Sequence, residues 1–425
     1  MSKTVTLPWD TGYEIKAVTL LSLGFGLVGL DRFMILPMFP TIMKSLHLGY
    51  QNLGEITGIL SITWGIAALF TGRISDLIGR RRVVLVSIVI FSVLVGISGL
   101  AAGLLTLLLL RGLMGFADGA YTPPSIVATL EASKPTRHGQ NLGIQQMMLP
   151  LFGLAIAPIL VTQLLQTVNW RYIFVMVSPF GLIVAALLYF VLRQPSEAAL
   201  IDHTAVQDPS SNRWRDLFLY RNIILNMIGM LCWLTCLVVT SALVPNYLID
   251  YLHLSLPQMG FVLSAIGFGG TLGTVILPMI SDRIGRRPMM LISSAGAGLS
   301  LFAFSRVGAA PVLLFTFMFA THFFNFSLIT LTVGPISAES VPAKLMASAS
   351  GLVICTGEVF GGGIAPVIAG FVAEHFGIQE ILPLAIGGLA VGFINSCFLR
   401  ETAPRRLRGE GLAPIQNDLV IPPAQ

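Results

Sequence analysis

Five charged residues lie in stretches that are otherwise apolar. In GLDRFMILP, Asp31 and Arg32 are neighbours. In RGLMGFADGAYTPP, Arg111 and Asp118 stand seven apart. In VICTGEVFGGGIAP, Glu358 is the only charged group. An arginine keeps its charge under essentially all conditions, and its planar fork fits a carboxylate. Asp31 points about 100° away from Arg32 around a helix, so the pair need not neutralise itself. Seven helical steps turn about 700°, which returns Arg111 and Asp118 to nearly one face, roughly 10 Å apart along the axis. Arg32 is therefore a candidate anion-binding group. An acid set between a low-dielectric surround and a facing cation can load and unload a proton. Asp118 is the first candidate carrier, with Asp31 and Glu358 as rivals and Arg111 as the facing cation. The plainer alternative for each pair is a buried structural ion pair. His322 and Asn325, three apart on one helix side, and the adjacent Gln145 and Gln146 are further candidates for hydrogen bonds to a substrate, or for packing.

The elements that carry these residues follow from composition. Only 11% of the 425 residues are charged and 55% are hydrophobic, against roughly 25% charged in a soluble domain. Residues 83–110, 139–169, 172–192, 222–249 and 254–281 contain no Asp, Glu, Lys or Arg. Roughly 20 apolar residues cross a bilayer as a helix, whereas a β-barrel would read as short alternating segments. The expected fold class is an all-α polytopic membrane protein with the lipid bilayer as its surround. Twelve helices are expected near 17–42, 53–75, 83–101, 104–130, 139–165, 170–192, 222–249, 257–281, 288–305, 309–336, 345–373 and 380–400. The polar segment 193–221 reads as a cytoplasmic linker. It divides an N-terminal six-helix bundle, 1–192, from a C-terminal one, 222–400, which a cytoplasmic tail, 401–425, follows.

Of the 25 Lys and Arg, Arg32 and Arg111 lie inside helices, and Lys44, Arg171 and Arg306 fall on one side. All the others gather on the side that holds both termini, which the positive-inside rule makes cytoplasmic. Because these bases sit in short loops, no nucleic-acid partner is expected. Residues 1–16 do not read as a cleavable signal. Cys232, Cys236, Cys355 and Cys397 lie in apolar segments without zinc spacing, so neither a metal nor a cofactor is expected.

One basic phrase is written twice. GRISDLIGRRR begins at Gly72 and PMISDRIGRRP at Pro278, so Asp76, Gly79, Arg80 and Arg81 recur as Asp282, Gly285, Arg286 and Arg287, 206 positions on. Leu46-His47-Leu48 recurs as Leu252-His253-Leu254 at the same offset, and Ile156-Ala157-Pro158 as Ile364-Ala365-Pro366 at an offset of 208. Several matches in register indicate a duplicated six-helix unit, and two parallel repeats are a transporter architecture.

With twelve helices and this doubled phrase, the chain resembles the major facilitator superfamily over about residues 17–400. The family's loop motif G-x-x-x-D-x-x-G-R-R/K is met by Gly72, Asp76, Gly79, Arg80 and Arg81, and in weakened form by Pro278, Asp282, Gly285, Arg286 and Arg287. Arg111 and Gly115 match a fourth-helix motif. The resemblance implies that the loop cluster latches the two halves together on the cytoplasmic side while the site faces outward. The Asp31-Arg32 pair resembles the anion:cation symporter branch, in which the arginine contacts the substrate anion and the aspartate takes part in proton coupling. Asp118 stands where that branch has an acid, usually Glu. Trp64 stands where it often has a cavity aromatic.

The resemblance implies proton-coupled uptake of a small organic anion by alternating access, by a monomer in a bacterial inner membrane. Aromatic acids, sugar acids and short dicarboxylates all fit one prominent arginine. A proton-coupled drug exporter remains an alternative, although such exporters tend to carry Gly-Pro in the fifth helix, where this chain has Ala157-Pro158. A non-transporting membrane sensor is a second, for which linker and tail are too short to fold alone. An enzyme is not expected, since HExxH, GxSxG and GxxxxGK[ST] are all missing.

Overall fold

The computed structural model describes residues 10–193, 214–342 and 345–403. Most of the linker and of the tail lie outside them. Twelve helices are long and apolar enough to cross a membrane: α1 Thr11–Leu46, α2 Tyr50–Thr71, α3 Arg80–Ser98, α4 Leu104–Ala132, α5 His138–Leu164, α6 Trp170–Val191, α7 Arg221–Tyr251, α8 Leu256–Ile284, α9 Arg286–Ser305, α10 Pro311–Glu339, α11 Ser348–Phe376 and α12 Ile378–Cys397. In hydrocarbon a spanning segment must satisfy its own backbone groups, which a helix does. The first helix starts earlier than its apolar run predicts, because the Asp10 side chain accepts from the Tyr13 N–H and caps it.

The helices form two six-helix bundles, and the packing repeats from one to the other. α2 packs on α4 as α8 packs on α10; α3 lies on α4 and α6 as α9 lies on α10 and α12; α1 meets α5 as α7 meets α11. The turns repeat as well. Gly79 and Gly285 adopt φ of 95° and 108° between α2 and α3 and between α8 and α9, a conformation that favours glycine. At the opposite ends, His47 and His253 both take left-handed conformations, φ 53° and 55°. In α5 and α11 the helix widens into π turns at Leu151–Ile156 and Gly357–Ile364. Each is followed by a proline, Pro158 or Pro366, which lacks an N–H and crowds the carbonyl four residues earlier. An extra residue in the turn relieves that conflict, and such turns recur at functional sites. Glu358 lies inside the second one.

The bundles meet where α2 packs on α11 and α5 packs on α8. A side chain at Gly54 would strike the Pro366 carbonyl, and one at Gly267 would strike the Ala155 backbone. Glycine is required there for close approach. Among the described residues, the hydrogen bonds seen between the bundles lie at mid-depth or beyond it, away from the Gly79 and Gly285 turns. At that far end, the Tyr50 N–H donates to Glu374 Oε2 at 2.6 Å and the Tyr50 hydroxyl to Asp250 Oδ2 at 3.0 Å.

Candidate functional site

Arg32 sits at the meeting of the two bundles. Its Nη1 donates to Glu358 Oε1 at 3.2 Å and its Nη2 to Glu358 Oε2 at 2.7 Å, a two-pronged pair that joins α1 to α11. The same Nη2 donates to Ser61 Oγ at 3.1 Å. The guanidinium carbon lies 5.3 Å from the Phe33 ring centre and 5.4 Å from that of Trp64. Arg32 and Glu358 are both buried. Two parallel charge-assisted bonds fix distance and plane together, which a lysine could not do. Beside this pair is a cavity of about 10 Å³, room for one water. Arg32, Arg111, Thr57, Ser61 and several apolar side chains line it, among them Val238, the duplicate of Arg32 at the offset of 206.

Arg111 and Asp118 lie one layer further into the first bundle. Arg111 Nη1 donates to the Asp31 backbone carbonyl at 2.8 Å, and its guanidinium carbon lies 5.8 Å from the Phe174 ring centre. Its Nε and Nη2 have no hydrogen-bond partner, and neither does either carboxylate oxygen of Asp118. Asp118 is fully buried, yet within the electrostatic reach of both Arg32 and Arg111. Asp31 in turn feels the charges of Asp118 and Arg111. The α4 backbone reaches this depth because Gly115 and Gly119 lie against the Leu60 and Trp64 carbonyls of α2.

The remaining candidates separate. Gln145 is buried and donates to Ser125 Oγ at 3.1 Å, within the first bundle. Gln146 beside it is half-buried. Trp64 is buried with its indole N–H unpartnered. His322 and Asn325 are not brought to Arg32. His322 Nε2 and the Thr240 hydroxyl lie 3.1 Å apart, and Asn325 donates to the Trp233 carbonyl at 3.1 Å. Both contacts join α10 to α7 inside the second bundle. Side-chain polarity pointed to these two residues, and the same polarity is satisfied by helix packing.

The contacts described for the loop cluster are made within each half. Arg80 pairs with Glu131, and Arg81 donates to the Tyr189 carbonyl at 2.5 Å. Arg286 pairs with Asp282 at 2.7 Å and Glu339 at 2.9 Å, and Arg287 donates to the Cys397 carbonyl at 2.8 Å. Every one of these bonds stays within its own bundle. The latch is expected while the site faces outward, whereas here the bundles close at the opposite end, through Tyr50, Asp250 and Glu374. Gly72 lies in the run of α2 toward Gly79, and the Asp76 side chain is outside the described residues.

Two elements of the site were missed in the sequence. Ser61 stands three residues before Trp64, on the same face of α2, and that spacing was a usable signal. The pairing of Glu358 with Arg32 left none, because the partners lie in different repeats at positions the duplication does not relate.

A family model described as Major Facilitator Superfamily matches residues 21–357 and 227–421. The hexuronate transporter of Bacillus subtilis is 24% identical, over 88% of this chain and 91% of its own length. The sialic acid transporter of Escherichia coli is 25% identical, over 85% and 88%. Among solved structures, a bacterial homologue of the human lysosomal transporter Spinster, inward-facing and occupied, superposes with a TM-score of 0.75 at 15% identity, covering 96% of this chain and 100% of that one. That likeness shows the shared fold.

Proposed function

Because the chain belongs to the Major Facilitator Superfamily, we propose that it is a secondary transporter for a small organic anion, taken up together with protons by alternating access of its two bundles. The observation that carries this reading is the Arg32–Glu358 pair. A permanently charged fork is held at membrane depth on the bundle interface, already gripping a carboxylate. A substrate carboxylate can be held by the same geometry. The similarity to a hexuronate transporter and a sialic acid transporter agrees with an anionic substrate.

Charge balance supports proton coupling. Arg32 and Arg111 are buried with Asp31, Asp118 and Glu358, two cations against three acids. An incoming carboxylate adds a fourth negative group. Burying unpaired charge is expensive, so the anion enters with protons bound to the acids. Asp118 is the carrier best suited by position, since its oxygens have no hydrogen bond to give up. In this reading Trp64 and Gln146 serve the substrate, and Arg80, Arg81, Arg286 and Arg287 change partners when the other end of the molecule opens. The positive-inside bias supports both termini on the cytoplasmic side, and in this reading the monomer works in a bacterial inner membrane.

The test is uptake of labelled carboxylates into proteoliposomes, with and without an inward proton gradient. Accumulation only with the gradient is the expected result. Downhill equilibration unaffected by the gradient would remove the proton coupling, and no carboxylate transport at all would remove the substrate class.

A further inference from the structure

Resting on the anion reading above, we infer that the substrate is a monocarboxylate with an apolar body, and that its carboxylate takes the place on Arg32 that Glu358 holds in this structure. Both oxygens of Glu358 are bonded to Arg32, at 2.7 and 3.2 Å, and the pair is buried. Arg32 cannot hold Glu358 and a substrate carboxylate in the same two-pronged geometry. Glu358 is therefore an internal competitor, and substrate binding frees α11 from α1.

The walls argue for the body. Next to Arg32 the cavity is formed by Phe33, Ile56, Leu60 and Val238, with the Trp64 ring against the guanidinium. Thr57 and Ser61 bring the two hydroxyls on this wall. Thr57 donates to the Leu53 carbonyl at 2.9 Å, and Ser61 accepts from Arg32. A sugar acid would bring several hydroxyls to this wall, and buried polar groups without partners are costly. An aromatic or branched aliphatic body instead gains from leaving water. A second carboxylate is also disfavoured. Arg111 is the other cation on the wall; its Nε and Nη2 have no hydrogen-bond partner, but its charge is balanced by Asp31 and Asp118.

Calorimetric titration of the purified full chain with benzoate, glucuronate, phthalate and benzyl alcohol tests this. Benzoate is expected to bind at least about tenfold tighter than glucuronate or phthalate, the scale of one unmatched buried polar group, and benzyl alcohol not at all. Glu358→Gln is expected to tighten benzoate by about tenfold, if Glu358 occupies Arg32 about nine-tenths of the time. Glucuronate or phthalate binding as tightly as benzoate, or tighter, would overturn the apolar monocarboxylate while leaving the anion reading intact. Unchanged or weaker benzoate binding in Glu358→Gln would overturn the displacement. The ligand ranking is read on the unmodified chain, so it stands even if that variant does not fold. Failure of all three acids to bind either protein would overturn the anion reading together with this inference.

Discussion

The two bundles share their turns and differ in their charges. α4 and α10 begin at Leu104 and Pro311, so Arg111 and Asp118 stand at the same steps as Met318 and Asn325. Arg32 corresponds to Val238 at the offset of 206, and Glu358 to Pro150 at 208. Duplication kept what the backbone needs: positive-φ glycines at 79 and 285, left-handed histidines at 47 and 253, and π turns before Pro158 and Pro366. It did not keep the buried ions. Of the five ions inside the apolar stretches, the first bundle holds four and the second contributes Glu358. Where α4 leaves Asp118 without a partner, α10 has Asn325 donating to the Trp233 carbonyl. The difference teaches that the duplication preserves backbone geometry, while most of the charge inside the apolar helices is gathered in one half.

The largest expected effect is at the one contact that breaks this division. Arg32→Ala should reduce carboxylate binding by about 2–5 kcal/mol. It also strands Glu358 as a buried unpaired acid, which costs about 3–5 kcal/mol of stability. Arg32→Ala with Glu358→Ala should regain thermal stability without regaining binding. Denaturation midpoints and ligand titration on both variants separate the two losses; recovery of binding in the double variant would contradict the role of Arg32.

A smaller effect is expected from making the halves alike. Asn325→Asp removes the donor to the Trp233 carbonyl and should cost about 1–3 kcal/mol. It should not restore driven transport to a chain carrying Asp118→Asn, because no arginine stands seven positions before residue 325. Restored accumulation in that double variant would show that the second bundle can handle the proton.

The smallest effect should come from the loop cluster. The Arg81 bond to the Tyr189 carbonyl is exposed, and exposed charge contacts contribute roughly 0–1 kcal/mol. Arg81→Ala should leave substrate affinity unchanged and slow transport, since a latch alters conformational populations rather than the site. Affinity falling in step with transport would place Arg81 in the binding machinery.

These contrasts also mark what could be read from the residues alone. Helix number and the duplication were legible because each depends on local composition and register. The ions at 31, 32, 111, 118 and 358 were legible as a set, because charge inside apolar helices stands out. Their partners were not. Arg32 meets Glu358 across 326 positions and two bundles, a contact that depends on how the halves dock. The latch expected of the loop arginines belongs to the outward-facing molecule, and residue spacing carries no record of which end is closed. His322 and Asn325 misled because a buried hydrogen bond and a binding group call for the same side chains.

The central claim is that the first bundle carries the proton and the second lends only a counter-charge. Its most direct test compares Asp118→Asn, Asp31→Asn and Glu358→Gln in proteoliposomes, by counterflow exchange and by gradient-driven uptake of the same carboxylate. One proton carried with a monocarboxylate moves no net charge, so the pH gradient is the driving force, and one pH unit, worth about 1.4 kcal/mol, sustains about tenfold accumulation. The account predicts that Asp118→Asn exchanges substrate but does not accumulate it. Normal accumulation by Asp118→Asn, with Glu358→Gln failing only in driven uptake, would contradict it and move the proton to the second bundle.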